Sequence, residues 1–179
     1  MGLLFFIFEP KSISIMINIT KATTNQQLKQ IEVLAKEIWN EHYVKIIGQE
    51  QVDYMLDKFQ SFSAMEVQVE NGLEYYTLSF NNKLAGYLAF KEESDQLFLS
   101  KIYVLAALRG NKIAKHGMNY VVSQAQQRGK GGIRLTVNKY NEGAIKAYAK
   151  MGFEKIDDVV ADIGKGYVMD DFVLLKKID

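Results

Sequence analysis

Apolar residues recur along this chain with two different periods, and the switches between them mark out its elements. Ile17 to Lys21 alternates apolar and polar positions and predicts a strand. Leu28, Ile31, Ala35, Ile38, Trp39 and His42 then fall at helical spacing, which predicts a helix from a Thr23 or Thr24 cap to about Tyr43. Val52, Met55, Leu56 and Phe59 share a face of a second helix over Glu50 to Phe59, and Ala64 to Glu70 adds a further turn. From Leu73 the period shortens. Leu73–Phe80, Leu84–Lys91 and Leu97–Val104 read as strands of an antiparallel meander, parted by polar turns.

Helical spacing returns from about Asn111 to Arg128, with Ile113, Gly117, Tyr120, Val121 and Ala125 on one face. Gly129, Gly131 and Gly132 stop it. Ile133–Val137 is a short buried strand, Asn141–Met151 a helix, and Glu154–Ile163 and Gly166–Ile178 two closing strands. This order predicts an α+β sheet with helices on both faces.

Residues 16–179 read as a single domain, with residues 1–15 as an N-terminal extension outside its core. The run Leu3–Phe8 falls well short of the ~20 residues a membrane span needs, and neither a preceding basic residue nor a following cleavage site marks a signal peptide. No membrane association is expected. Lys plus Arg number 22 against 21 for Asp plus Glu, so the net charge is +1. That balance argues against a nucleic-acid partner, which selects a basic excess. The chain has no cysteine, which removes thiol nucleophiles and disulfides and fits a cytoplasmic protein.

Two segments carry the chemistry. In the first, the strand ending at Val104 leads into Arg109-Gly110-Asn111-Lys112-Ile113-Ala114, where a helix begins. A helix start offers free N–H groups and the positive end of its dipole. Gly110 lets a ligand approach the backbone. Arg109 and Lys112 add positive charge there, an arrangement that suits a bound anion. Neither a G-x-x-x-x-G-K-[ST] loop nor G-x-G-x-x-G occurs, and a nucleotide hydrolase would also lack a magnesium-ligand motif. In the second segment Asn141 occupies a helix N-cap and Tyr148 follows on the same face.

In this order the two segments resemble the acyl-coenzyme A site of the GNAT superfamily of N-acetyltransferases. Its signature loop is Gln or Arg, two residues, Gly, one residue, then Gly or Ala. Arg109 and Ala114 match its ends, whereas Lys112 replaces the central Gly, as it would if Lys112 were already helical. The resemblance implies a GNAT-like fold with a central mixed, mostly antiparallel sheet of about seven strands. It implies acetyl-CoA as cosubstrate, direct transfer to a primary amine of a small molecule or peptide, and no metal. Arg109 to Ala114 would hold the pyrophosphate. Asn141 would contact the pantetheine arm, and Tyr148 would be the general acid that protonates the leaving thiol. Ile102, Tyr103 and Val104 would splay from the next strand and pair with the pantetheine, an N–H near Val104 polarising the thioester carbonyl. Homodimers are common in the superfamily, and no residue pattern here marks one.

The acceptor side is less defined. Proton acceptors are available at Glu41, His42, Tyr43, Asp53, Tyr54, Glu92, Glu93, Asp170 and Asp171. Trp39, His42, Tyr43, Tyr54, Asp170 and Asp171 are the substrate-binding candidates. Adjacent acids in an apolar strand require one to face a buried surface or a cleft. A second reading is a domain of the same fold that holds an acyl-CoA as a sensor without catalysis. Binding of acetyl-CoA is required by both, and thiol release across an amine panel separates them.

Overall fold

The computed structural model describes residues 16–178; the extension expected over residues 1–15 lies outside them. Strand β1 (Ile17–Lys21) is followed by helix α1 (Asn25–His42). The Thr24 hydroxyl accepts from the Gln27 N–H, and the Gln27 side chain returns a bond to the Thr24 N–H. This reciprocal cap fixes where α1 starts, at a value of about 1 kcal/mol. Two short helices follow, α2 (Val44–Ile47) and α3 (Gln49–Met55), the latter relaxing into a π-helical turn over Leu56–Gln60. The single helix expected over Glu50–Phe59 is thus interrupted, and α2 was not expected. Helix α4 (Phe62–Glu70) is capped by Ser61.

Strands β2 (Glu74–Phe80), β3 (Lys83–Glu92) and β4 (Gln96–Val104) form the expected meander. A short 3-10 turn leads to α5 (Ile113–Gln127), then β5 (Gly132–Asn138), α6 (Glu142–Lys150), β6 (Glu154–Gly164) and β7 (Tyr167–Lys177). They build a seven-stranded sheet in the order β1-β2-β3-β4-β5-β7-β6. All pairings are antiparallel except β4 with β5.

Each face of the sheet buries a cluster. One joins α5 and α6 to Leu88, Phe90, Leu97, Leu135 and their neighbours. The other joins α1 to α4 with Tyr75, Tyr87 and Ala89. Strand β4 changes phase between them. Ala89 pairs with Lys101 but Phe90 with Leu99, so Ser100 is an extra residue in a bulge. Leu97 and Leu99 face the first cluster, and after the bulge Ile102 and Val104 do so too. Lys101 and Tyr103 are thereby turned toward α1–α4.

The parallel ladder between β4 and β5 covers only Gln96–Phe98 and Gly132–Arg134. Beyond it β4 stays with β3 up to Val104, while β5 stays with β7 up to Asn138. The sheet therefore opens between the two strands. No helix of the described residues is long and apolar enough to cross a membrane.

Candidate active site

A cleft of about 630 Å³ runs through this opening. Ile102, Tyr103 and Val104 line it from β4, Thr136 and Asn138 from β5, Asn141 and Tyr148 from α6, and Trp39, His42 and Tyr43 from α1 and the residue after it. These four elements span residues from Trp39 to Tyr148, and the parting of the strands brings them to one cavity.

Tyr148 reaches the cleft from the middle of α6, its ring braced edge-on against Phe153 at 5.5 Å between centroids. Among the described residues its hydroxyl has no hydrogen-bond partner shared with another side chain or carbonyl. Burial, with a smaller contribution from Tyr43, pushes its phenol well above the ordinary tyrosine value. The group is therefore protonated at any physiological pH and is available as a donor. Asn141 is buried and accepts from the Ala144 N–H, which starts α6. Its amide also faces His42 and Tyr43. Burial and the nearby Arg109 push the His42 imidazole below its usual value, so it is neutral near pH 7. Burial pushes Tyr43 up, tempered by the Tyr103 hydroxyl and the Asn141 amide beside it.

The loop before α5 departs from expectation at one residue. Lys112 is not helical. Its φ of 63° and ψ of 13° lie in the left-handed region, and Gly110 also has a positive φ of 86°. This conformation favours glycine, and lysine adopts it at a cost of about 1 kcal/mol. Helix α5 begins at Ile113, without a side-chain cap and without an acidic residue in its first turn. Its first N–H groups are left for another partner. Ala114 lines the cleft, whereas the Ile113 side chain is in the core. The Asn111 amide donates to the Leu108 carbonyl and shapes the turn, and the exposed Arg109 bends back so that its Nε donates to the Val104 carbonyl at 3.3 Å.

The acceptor candidates divide. Asp171 is buried and lines the cleft, facing the same side as Asn138, its partner across β5. Burial pushes its carboxyl up, with Thr136 pulling it back. Asp170 turns the other way and pairs with Lys139, so it does not join the cleft. Tyr54 is also outside: it donates to the Ile163 carbonyl and packs on Tyr167. Glu92 and Glu93 are taken by Arg128, Lys130 and Arg134. Glu41 and Asp53 are exposed and off the cleft wall.

Lys101 carries no mark in the sequence pattern. It is 6% exposed and lies at the cleft, with its ammonium donating to Gln68 Oε1 at 2.9 Å and resting 5.4 Å from the Tyr75 ring. No carboxylate among the described residues pairs with it, and burial pushes it down to about 7. Simple alternation in β4 would have put it with Leu97 and Leu99; the bulge at Ser100 gives it a different face.

A sheet parted between its parallel strands, with an open helix start on one rim and a tyrosine on the other, is the architecture of acyl transferases that use a thiol carrier. The profile of the Acetyltransferase (GNAT) family matches residues 32–153, and the chain belongs to that family. It is an acetyltransferase by fold and family. Solved structures agree in fold. The PaiA N-acetyltransferase of Thermoplasma acidophilum, in complex with coenzyme A, superposes with a TM-score of 0.76 at 21% identity, covering 90% of this chain and 99% of its own. The ribosomal-protein-S18-alanine N-acetyltransferase of Escherichia coli gives 0.66 at 16% identity, with 92% and 95% covered. A GNAT-family acetyltransferase of Staphylococcus aureus Mu50 gives 0.67 at 18%, with 92% and 100% covered.

Proposed function

We propose that the protein transfers an acetyl group from acetyl-CoA to a primary amine of a small molecule or peptide, by direct attack of the amine and with Tyr148 as general acid. The observation that carries this reading is the opening of β4 from β5 onto a cleft where no described residue hydrogen-bonds the Tyr148 hydroxyl.

The residues present fit the cosubstrate. The cleft volume of about 630 Å³ lies in the range of cofactor sites. Ala114, Ala144 and Ala147 are small enough at its wall to admit a thin chain. The uncapped start of α5, flanked by Gly110 and Lys112, suits a diphosphate through N–H groups and dipole. Ile102 and Tyr103 on the β4 side and Asn141 on α6 would flank the pantetheine arm. Bound acetyl-CoA supplies the activated acyl group. The chain supplies position, exclusion of water and a proton: Tyr148, held neutral by burial, donates to the sulfur as it leaves.

Calorimetric titration with acetyl-CoA tests the site, since absence of binding removes the reading. In Tyr148→Phe we expect turnover to fall by about tenfold or more with the acetyl-CoA Kd little changed. Unchanged turnover would take Tyr148 out of the mechanism. Binding without thiol release for any amine would identify an acyl-CoA sensor instead.

A further inference from the structure

The part of the cleft formed by α1–α3, the π-helical turn and β7 is walled mainly by the apolar or aromatic side chains Trp39, Ile47, Met55, Phe59, Val168 and Met169; of its polar groups, Gln51 already holds the Val168 carbonyl and Gln60 the Tyr87 hydroxyl. Among all the described residues that line the cleft, Asp171 is the sole carboxylate, against His42, Lys101 and Arg109 as bases. The bases are already engaged or turned away. Lys101 holds Gln68 and faces Tyr75. Arg109 holds the Val104 carbonyl. His42 is neutral.

Asp171 is different. It is 8% exposed and makes no ion pair among the described residues; Lys139, the lysine whose charge reaches it, is held by Asp158 and Asp170. A buried carboxylate without a cation is costly, and the open side of this one is the cleft. A single ammonium entering there would relieve that cost, while the rest of the entering molecule would meet rings, sulfurs and alkyl groups.

We propose that the acceptor is a monoamine with an apolar, ring-bearing body, its ammonium docking on Asp171 and releasing its proton to water before the free amine attacks, and its body held between Trp39, Phe59 and Met169. This rests on the acetyltransferase reading above. A polyamine would bring several charges to a wall with one acid. An amino sugar would lose most of its hydrogen bonds with water and find few replacements.

The test is acetyl-CoA-dependent thiol release with 2-phenylethylamine, spermidine, an aminoglycoside and a hydrophilic tripeptide. Trp39 is the only tryptophan in the chain and lines the cleft, so its fluorescence reports occupancy separately from turnover. We expect kcat/KM for 2-phenylethylamine to exceed that for spermidine by about tenfold or more, with a saturable change in Trp39 emission. In Asp171→Asn we expect its KM to rise by about tenfold while the acetyl-CoA Kd is unchanged. Gln51→Glu, which adds a second acid to the wall, is expected to raise the activity on spermidine. Preference of the wild type for spermidine, the aminoglycoside or the tripeptide would overturn the proposal, as would an unmoved KM in Asp171→Asn. Loss of acetyl-CoA binding would instead overturn the acetyltransferase reading on which it stands. Acetyl-CoA binding with no amine acetylated would overturn the acceptor and leave the sensor.

Discussion

Lys101 costs this protein stability at neutral pH, because burial penalises its charge and no carboxylate among the described residues pairs with it. In the unfolded chain the amine has the ordinary value of 10.5, and in the folded protein about 7. Below pH 7 both states are charged, and the folded state carries the full cost of burying the charge. Between pH 7 and 10.5 the unfolded chain binds a proton that the folded chain has shed, so stability rises with pH. Lys101→Met is therefore expected to raise Tm at pH 6, by about 2–4 °C for each kcal/mol recovered in a chain of this size, and clearly less at pH 10. Equal gains at both pH values, measured by thermal denaturation, would mean that packing rather than charge burial is responsible. Lys112 illustrates a second kind of residue-scale cost. Its sequence neighbours suggest a helix, yet its φ lies in the left-handed region that favours glycine.

At the scale of elements, β4 forms one wall of the cleft. Strand β4 is held against β3 more closely than side chains normally allow. At Gly86, opposite Val104, an added Cβ would clash with the Tyr103 carbonyl oxygen. Tyr103 and Val104 are both cleft residues. Gly86→Ala is therefore expected to displace the end of β4 and to lower acetyl-CoA affinity by about tenfold or more, with a loss of stability of about 1–3 kcal/mol. Calorimetry and denaturant unfolding measure the two effects; wild-type affinity in a folded variant would show that this end of β4 does not set the site. The periods of 2 and 3.6 made nearly every element visible in the sequence. They failed at the irregular places: the break at Gly48, the π-helical turn after Met55, the bulge at Ser100 and the left-handed Lys112. Each is a departure from periodicity that the neighbouring structure imposes, so no repeat could announce it.

For the molecule as a whole, Glu74 on β2 joins β1 through Lys21 and the end of α5 through Arg128, which also reaches Glu92 on β3. Burial pushes the Glu74 carboxyl up, but hydrogen bonds from Arg128, Lys21 and Tyr76 outweigh it and hold the group at about 2, against an ordinary 4.5. Its contribution is complete above pH 4.5 and fades as pH falls through 2. Glu74→Gln is expected to lower Tm at pH 7 and to have little effect at pH 2; a loss of the same size at both would point to shape rather than charge.

The sequence by itself determined the α+β element order, the turn that opens α5, and the helix that runs from the Asn141 cap through Tyr148. These are local: each depends on residues within one or two turns or on a single alternating strand. It also pointed to adjacent acids in the last strand, because two carboxylates in an apolar run cannot both face water. The tertiary structure alone decided that Asp171 and not Asp170 enters the cleft, that Tyr54 stays out, and that Lys101 is buried at the cleft with no acid among the described residues beside it. Those outcomes depend on register across β5 and β7, on one extra residue in β4, and on where two parallel strands stop pairing. Such quantities arise between segments far apart in the chain, and the spacing of residues along it does not contain them.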